Sequence, residues 1–259
     1  MNSAPTISIL STSKSITAYA IGVRKNSEKV VQSLSLSSKD AKKQLEHLGI
    51  SLDSLLKDWP DFTAKTGEIV EIPIESHHRL FMVGVGLGAL DDIRKASAGL
   101  ARKVKGSNSH VYVALSPGAE SVVGSAIAIA NASYSFSMKS GKDEKKSAAF
   151  FFHKDFDDHI KRAKIFIEAT YVARDLIHMP ANIRTPACMA SEAKRLAAKK
   201  KNISVKVRAG RELKEFGGLQ AVGNSAPNPG PRMIEVSYSP QGFSRWRYVV
   251  LVGKSIVYD

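Results

Sequence analysis

The run Leu80-Phe81-Met82-Val83-Gly84-Val85-Gly86 constrains the fold more than any other stretch of the chain. A strand apolar at successive positions needs cover on both faces, and that is the pattern of a parallel sheet lying between helices. Directly after it, Ile93, Ala96, Leu100 and Val104 share one helical face, and Arg102, Lys103 and Lys105 gather at the end. The spacing predicts a helix that Asp91 or Asp92 caps at its positive end. The alternation then repeats: a strand over Val111–Leu115, an alanine-rich helix over Glu120–Ala132 and a strand over Ala148–Phe152. With β-rich runs at Thr6–Val23 and Gly67–Val85, this rhythm predicts an α/β class with a mixed sheet covered by helices.

A second region begins with a long helical pattern near Asp155 or Asp158, carrying Ile160, Ala163, Ile167, Tyr171, Arg174 and Ile177. It must stop before Pro180, because proline disfavours helix in the residue before it. A helix from Thr185-Pro186 to about Lys200, a strand Ile203–Val207, a short helix Glu212–Phe216 and strands Met233–Tyr238 and Tyr248–Val252 follow. The junction is placed in the long helix, giving an amino-terminal domain over 1–158 and a second over 159–259. Ser137–Ser147, rich in Lys, Ser and Gly, reads as an exposed loop.

At 259 residues and 43% hydrophobic composition, the chain has material for one large or two ordinary cores. Met1–Gly22 lacks the basic-then-apolar order of a signal peptide, and no apolar run reaches the ~20 residues that cross a bilayer. One cysteine, Cys188, excludes an internal disulfide, and the expected location is cytoplasmic. The formal net charge of +14 is uneven. Residues 1–160 hold 20 Lys and Arg against 17 Asp and Glu, whereas residues 161–259 hold 18 against 7. Two readings stay open: a phosphate-binding surface for nucleic acid, with Lys199-Lys200-Lys201 in it, or a region whose acidic counterparts lie outside these residues.

Three motifs carry little chemistry. Gly84-Val85-Gly86-Leu87-Gly88 lacks the further glycine and the distant acidic residue of a dinucleotide fingerprint, and fits a tight turn leaving a strand better. His77 and His78 are adjacent and on extended chain would point to opposite faces. Cys188, just inside a helix with no base near it in sequence, reads as a small half-buried residue. The carboxyl end is different. Val249-Val250-Leu251-Val252 predicts a buried parallel strand delivering Lys254 and Asp259 to the sheet's carboxyl edge, where α/β folds place their sites. A neutral lysine amine and a carboxylate are both ligands for a divalent ion, and cations nearby would favour the neutral amine.

Four ordered segments resemble the leucyl aminopeptidases of peptidase family M17. Ala173-Arg174-Asp175-Leu176-Ile177 with Pro180-Ala181-Asn182 is similar to that family's helix-to-loop junction, and Gly217–Ser225 to its glycine-rich segment. Pro231–Val236 resembles the strand that follows, and Val252–Asp259 the first metal-binding motif, with Ser255 in place of a usual glycine and Val257-Tyr258 in place of Thr-Phe. The resemblance implies a non-catalytic, macro-like α/β domain followed by the incomplete start of an α/β metallopeptidase domain. It implies that Lys254 ligates the more weakly held metal and that Asp259 bridges two divalent ions, Mn2+ or Zn2+. It also implies peptide substrates with a free N-terminus, a homohexamer, and in some relatives DNA binding. The remaining ligands are expected after Asp259. Two ligating side chains cannot hold two ions against water, so this chain by itself is expected to bind no stable metal pair and to lack peptidase activity.

Overall fold

A computed structural model describes residues 4–10, 15–26, 34–74, 78–138, 147–198, 200–223, 225, 230–242 and 249–256. The chain divides into two compact units, Met1–Asp175 and Leu176–Asp259.

Unit 1 is built on a seven-stranded sheet. Strands β1 (Ile7–Ile9), β7 (Ala149–Phe152), β6 (His110–Ala114), β2 (Ala18–Lys25), β5 (Arg79–Gly84) and β4 (Ile69–Pro73) lie side by side in that order. The first five run parallel, β4 is antiparallel to β5, and the short β3 (Leu34–Leu36) is antiparallel to β2. Their apolar runs put side chains on both faces, and helices cover both. On one face Phe81, Val83, Val113 and Phe150 pack against α3 (Leu90–Lys103), α4 (Ala119–Ser133) and α5 (Asp157–His178). On the other, Ile21, Met82 and Phe151 pack against α1 (Lys39–His47) and α2 (Leu52–Asp58). Ser38 and Ser51 cap α1 and α2 by accepting from the amides three residues on.

The α3 cap differs from the sequence reading. Ala89 is the N-cap, without a side-chain bond, and Asp91 and Asp92 lie in the first turn. There they still meet the positive end of the helix, while Asp92 accepts from Thr66 Oγ1 at 2.8 Å and Asp91 pairs with Arg94 at 3.0 Å. The preceding glycines serve the turn. A Cβ on Gly84 would stand 2.2 Å from the Lys65 carbonyl oxygen, and Gly86, at φ +56°, leaves room for the Thr66 hydroxyl. The segment 64–66 therefore packs directly against these glycines.

The α4–α5 packing carries a polar cluster. Tyr134 donates to the Asp175 carboxylate at 3.0 Å, and the Arg174 guanidinium sits 3.8 Å from the centre of the Tyr134 ring. Tyr171 meets that ring edge-on and donates to the Ala130 carbonyl at 2.7 Å, and Arg174 donates to the Asn131 carbonyl. Asp175 is buried, and so are Ile160, Ala163, Ile167 and Tyr171 at the i, i+3, i+4 spacing the sequence showed. This stripe keeps most of α5 with unit 1, so the division falls at 175/176 inside the helix.

Unit 2 contains α6 (Pro186–Ala197), a two-stranded antiparallel sheet of β8 (Ile203–Ala209) and β9 (Arg232–Tyr238), and the short α7 (Gly217–Gly223). Thr185 caps α6 by accepting from the Cys188 amide, with Pro186 in its first turn. Two expectations are corrected here. The helix read at Glu212–Phe216 is a 3-10 turn over Gly210–Leu213 followed by α7 over the glycine-rich segment. Leu213 turns inward and is buried, and packing sets the local winding where glycine propensity argues against helix. The strand read at Tyr248–Val252 is absent over its described part: Val249–Val252 pair with no strand and are exposed. A strand exists only with a hydrogen-bonded neighbour, and none of the described residues supplies one. Tyr248, His77 and the greater part of Ser137–Ser147 lie outside the described residues. Among the described residues no helix is long and apolar enough to cross a membrane.

Candidate functional site

The segments that make up the candidate site lie in unit 2 or at its entrance. At the entrance, α5 ends at His178 and the chain turns through Pro180–Thr185: the amides of Ile183 and Arg184 donate to the Pro180 carbonyl. Arg184 Nη1 donates to the Leu176 carbonyl at 2.9 Å, which satisfies one of the carbonyls left open by the end of α5. Proline at 180 forbids continuation of the helix, and the arginine four residues after it closes the helix end.

The glycine-rich segment and the strand after it meet closely. A Cβ placed on Gly223 would fall 2.5 Å from the Pro231 ring, so α7 ends against the residue that opens β9. Gly230 adopts φ +69° and is buried, and Arg232 Nη1 donates to the Gly230 and Pro231 carbonyls at 3.1 and 2.9 Å. The tight approach explains the residue types: a side chain at 223 would need the 231 ring to move, and a left-handed backbone at 230 disfavours an L side chain. Sequence reading marked both segments but gave no sign that they touch.

Lys254 follows Val249–Val252 in a stretch without regular secondary structure and is exposed, as are Gly253 and Ser255. A Cβ on Gly253 would meet nothing. The expected delivery of Lys254 to the edge of a central sheet is therefore not seen, because among the described residues the run before it joins no sheet. Asp259 lies outside the described residues, so its relation to Lys254 has no geometry here. Among the described residues no three His, Cys, Asp or Glu side chains are grouped so that they could hold a metal ion. Lys254 fits a two-metal centre as a single donor, and one donor does not make a site. Cys188 is half-buried on α6, with its backbone amide engaged by the cap.

Unit 2 also contains the basic excess. Lys194, Lys200, Lys201 and Lys206 are exposed, while Arg195 pairs with Glu192 at 2.6 Å and Arg208 with Glu235 at 3.0 Å.

Residues 171–259 match the model of the cytosol aminopeptidase family, catalytic domain. A probable cytosol aminopeptidase of Aquifex aeolicus is 28% identical over 214 residues, 77% of this chain and 43% of the relative. One from Geobacter sp. (strain M21) is 30% identical over 228 residues, 79% of this chain and 45% of its own length. Leucine aminopeptidase A2, chloroplastic, of Solanum lycopersicum is 29% identical over 238 residues, 83% and 42%. The chain thus spans less than half the length of these relatives. Among solved structures, a tomato leucine aminopeptidase mutant aligns over 95% of this chain and 53% of its own, with a TM-score of 0.72 and 21% identity. The bottromycin maturation enzyme BotP in complex with Mn aligns over 88% and 46%, with a TM-score of 0.65 and 22% identity. The structural likeness fixes the α/β fold, and the sequence matches fix the lineage of the segments just described. These matches support the assignment of residues 171–259 to the cytosol aminopeptidase family.

Proposed function

We propose that this chain carries the amino-terminal portion of a metal-dependent aminopeptidase, which removes N-terminal residues from peptides. The observation that carries the reading is the match of residues 171–259 to the family's catalytic domain. It coincides with the stretch where the glycine-rich segment is packed against Pro231 and where Arg184 closes α5. Residues 1–158 form the non-catalytic domain in this reading, and the catalytic portion starts at 159. The relatives named cytosol aminopeptidase support the cytoplasm as the place of action, although the tomato relative is named chloroplastic, and in this reading the complete enzyme is a homohexamer acting on peptides with a free amine.

Lys254 and Asp259 are two ligands of a binuclear centre in this proposal. Lys254 and Asp259 would hold part of a pair of divalent ions, Mn2+ or Zn2+, and such a pair would supply polarisation of the scissile carbonyl and a more acidic water. The part played by this chain's own residues is to hold an amine and a carboxylate at fixed positions. Lys254 binds only as the free amine, so its proton must leave to solvent first, and affinity falls as pH falls. One lysine and one carboxylate leave most coordination positions of two ions to water, so the 259 residues by themselves do not catalyse.

Two assays test this. The purified chain with Mn2+ or Zn2+ should release no p-nitroaniline from leucine p-nitroanilide; a metal-dependent rate above the metal-only control overturns the claim of incompleteness. A fusion of residues 1–259 to the part of the Aquifex aeolicus relative that follows its matched stretch should hydrolyse the same amide. Lys254→Ala or Asp259→Ala should abolish that activity. A fusion that is folded and metal-replete yet inactive, or active without Lys254, sinks the assignment.

A further inference from the structure

In unit 1 the parallel strands β2 and β6 are neighbours, yet the chain leaves them toward opposite faces of the sheet. After β2 it passes through β3 to α1 and α2, on the face of Ile21 and Met82. After β6 it enters α4, on the face of Val113 and Phe150. Where adjacent parallel strands part in this way, a crevice lies outside their carboxyl ends, and α/β folds bind ligands there. The register pairs Ile21 with Ala114, and a Cβ on the next residue, Gly22, would stand 3.1 Å from the Leu115 Cα. Arg24 thus follows on one strand as Ser116 and Pro117 follow on the other.

Two features of this edge await a partner. Ser116 is 7% exposed, and among the described residues its hydroxyl has no hydrogen-bond partner. A buried hydroxyl left unpaired costs stability, so a group that supplies the missing acceptor is its simplest explanation. Two residues on, Gly118 is the N-cap of the 15-residue α4 and provides no side-chain cap. The first amide to reach back within that helix is Val122, which donates to the Gly118 carbonyl. The amides of Ala119, Glu120 and Ser121 therefore lack an acceptor in the helix, and the positive end of its dipole lies with them. The carboxylate in that first turn, Glu120, is exposed and faces Arg162 of α5 at 3.7 Å. Arg24 is held across the crevice from them: its Nε donates to Ser35 Oγ at 3.3 Å, and its Cδ lies 3.8 Å from where a Cβ of Gly88 would be. Three amides, a hydroxyl and a guanidinium can all donate, and such a set suits a tetrahedral oxyanion.

We propose that the β2–β6 crevice of unit 1 binds a phosphate group, free or carried by a small ester. The phosphate sits on the amides of Ala119–Ser121, with the Ser116 hydroxyl beneath it as a further donor and Arg24 as the counter-charge at the rim. The site lies outside the segments matched to the peptidase, and its test does not depend on that reading.

The test titrates the isotope-labelled full chain with inorganic phosphate, and separately with adenosine monophosphate, at constant ionic strength. The amide resonances of Ala119, Glu120 and Ser121 should move together and saturate. Ser116→Ala and Arg24→Ala should each weaken binding by about tenfold, the loss of one hydrogen bond to a charged group. Lys206→Ala, an exposed cation of unit 2, should bind as the parent does. Ser116→Ala has a second readout. In phosphate-free buffer it should melt no lower than the parent, because it removes an unpaired hydroxyl, and it should lose most of the rise in melting temperature that phosphate gives the parent. Tighter binding of the monophosphate than of phosphate assigns the site to an ester, and equal binding assigns it to the free ion. Amides 119–121 that do not move with either probe overturn the proposal, as does a Ser116→Ala chain that binds with parental affinity. A Ser116→Ala chain that melts below the parent in phosphate-free buffer also overturns it, since the hydroxyl then has a partner within the protein.

Discussion

Replacing Tyr134 by Phe isolates one bond in the cluster that ties α5 to α4. The hydroxyl donates to the Asp175 carboxylate at 3.0 Å, and Asp175 is 3% exposed, so no solvent replaces the lost donor. The ring remains, with the edge-on contact to Tyr171 at 5.0 Å between centroids and the Arg174 guanidinium over its face, so no large cavity opens. The cost is therefore that of a buried hydrogen bond to a carboxylate, about 2 kcal/mol. For a unit of 175 residues that lowers the melting temperature by about 4–8 °C. The assay is thermal and urea unfolding of the full chain, followed by circular dichroism, for Tyr134→Phe, Asp175→Ala and the double variant. Groups that share a bond are not additive, so the cycle should return a coupling of about 1–2 kcal/mol. Single losses that sum to the double loss within about 0.5 kcal/mol would refute the reasoning and leave the cluster as mere packing.

Further outcomes follow from other contacts. Burial pushes the Tyr171 phenol up to about 12, and burial together with Asp40, to which it donates, raises Tyr112 as well. With folded values above the unfolded one near 10, the unfolded chain loses the proton first. Stability is thus complete below about pH 10 and falls as pH rises towards 12, by roughly 2–3 kcal/mol for Tyr171. Urea midpoints between pH 8 and pH 11 should show the first half of that fall, about 1.4 kcal/mol, and Tyr171→Phe should reduce its slope; an unchanged slope contradicts the assignment. Gly84→Ala would drive a Cβ to 2.2 Å from a backbone carbonyl and should cost more than about 2 kcal/mol. Gly49→Ala, at φ +67° with open space around it, should cost about 1 kcal/mol; equal melting temperatures for the two would be against the packing argument. Ser97 and Ser125 share a buried hydrogen bond of 2.7 Å between α3 and α4. Ser97→Ala should cost about 1–3 kcal/mol by orphaning its partner, and adding Ser125→Ala should restore much of that; a double variant worse than the single one would reject this.

Unit 1 was legible in the residues because its strands and helices satisfy local rules and have their neighbours within the chain. The apolar run at Leu80–Val85 and the spacing of Ile93, Ala96 and Leu100 gave the sheet and its covering helix within a few residues. Strand order was not legible: β1 lies at the edge beside β7, some 140 residues away, and only tertiary packing decides such a pairing. The short glycine-rich helix α7 also escaped, since Gly217 and Gly218 argue against helix and the close approach of its last residue, Gly223, to Pro231 is a tertiary contact.

The end of the chain shows both sides of this division. Residue identity alone determined the apolar character of Val249–Val252 and raised Lys254 and Asp259 as candidate ligands, because hydrophobicity and ligand chemistry are properties of the side chains. Whether the run becomes a strand was decided by the three-dimensional surroundings, in which the described residues offer it no hydrogen-bonding neighbour and no covering face. A β-strand is stabilised by groups distant in sequence, so its pattern can be present where its structure is not.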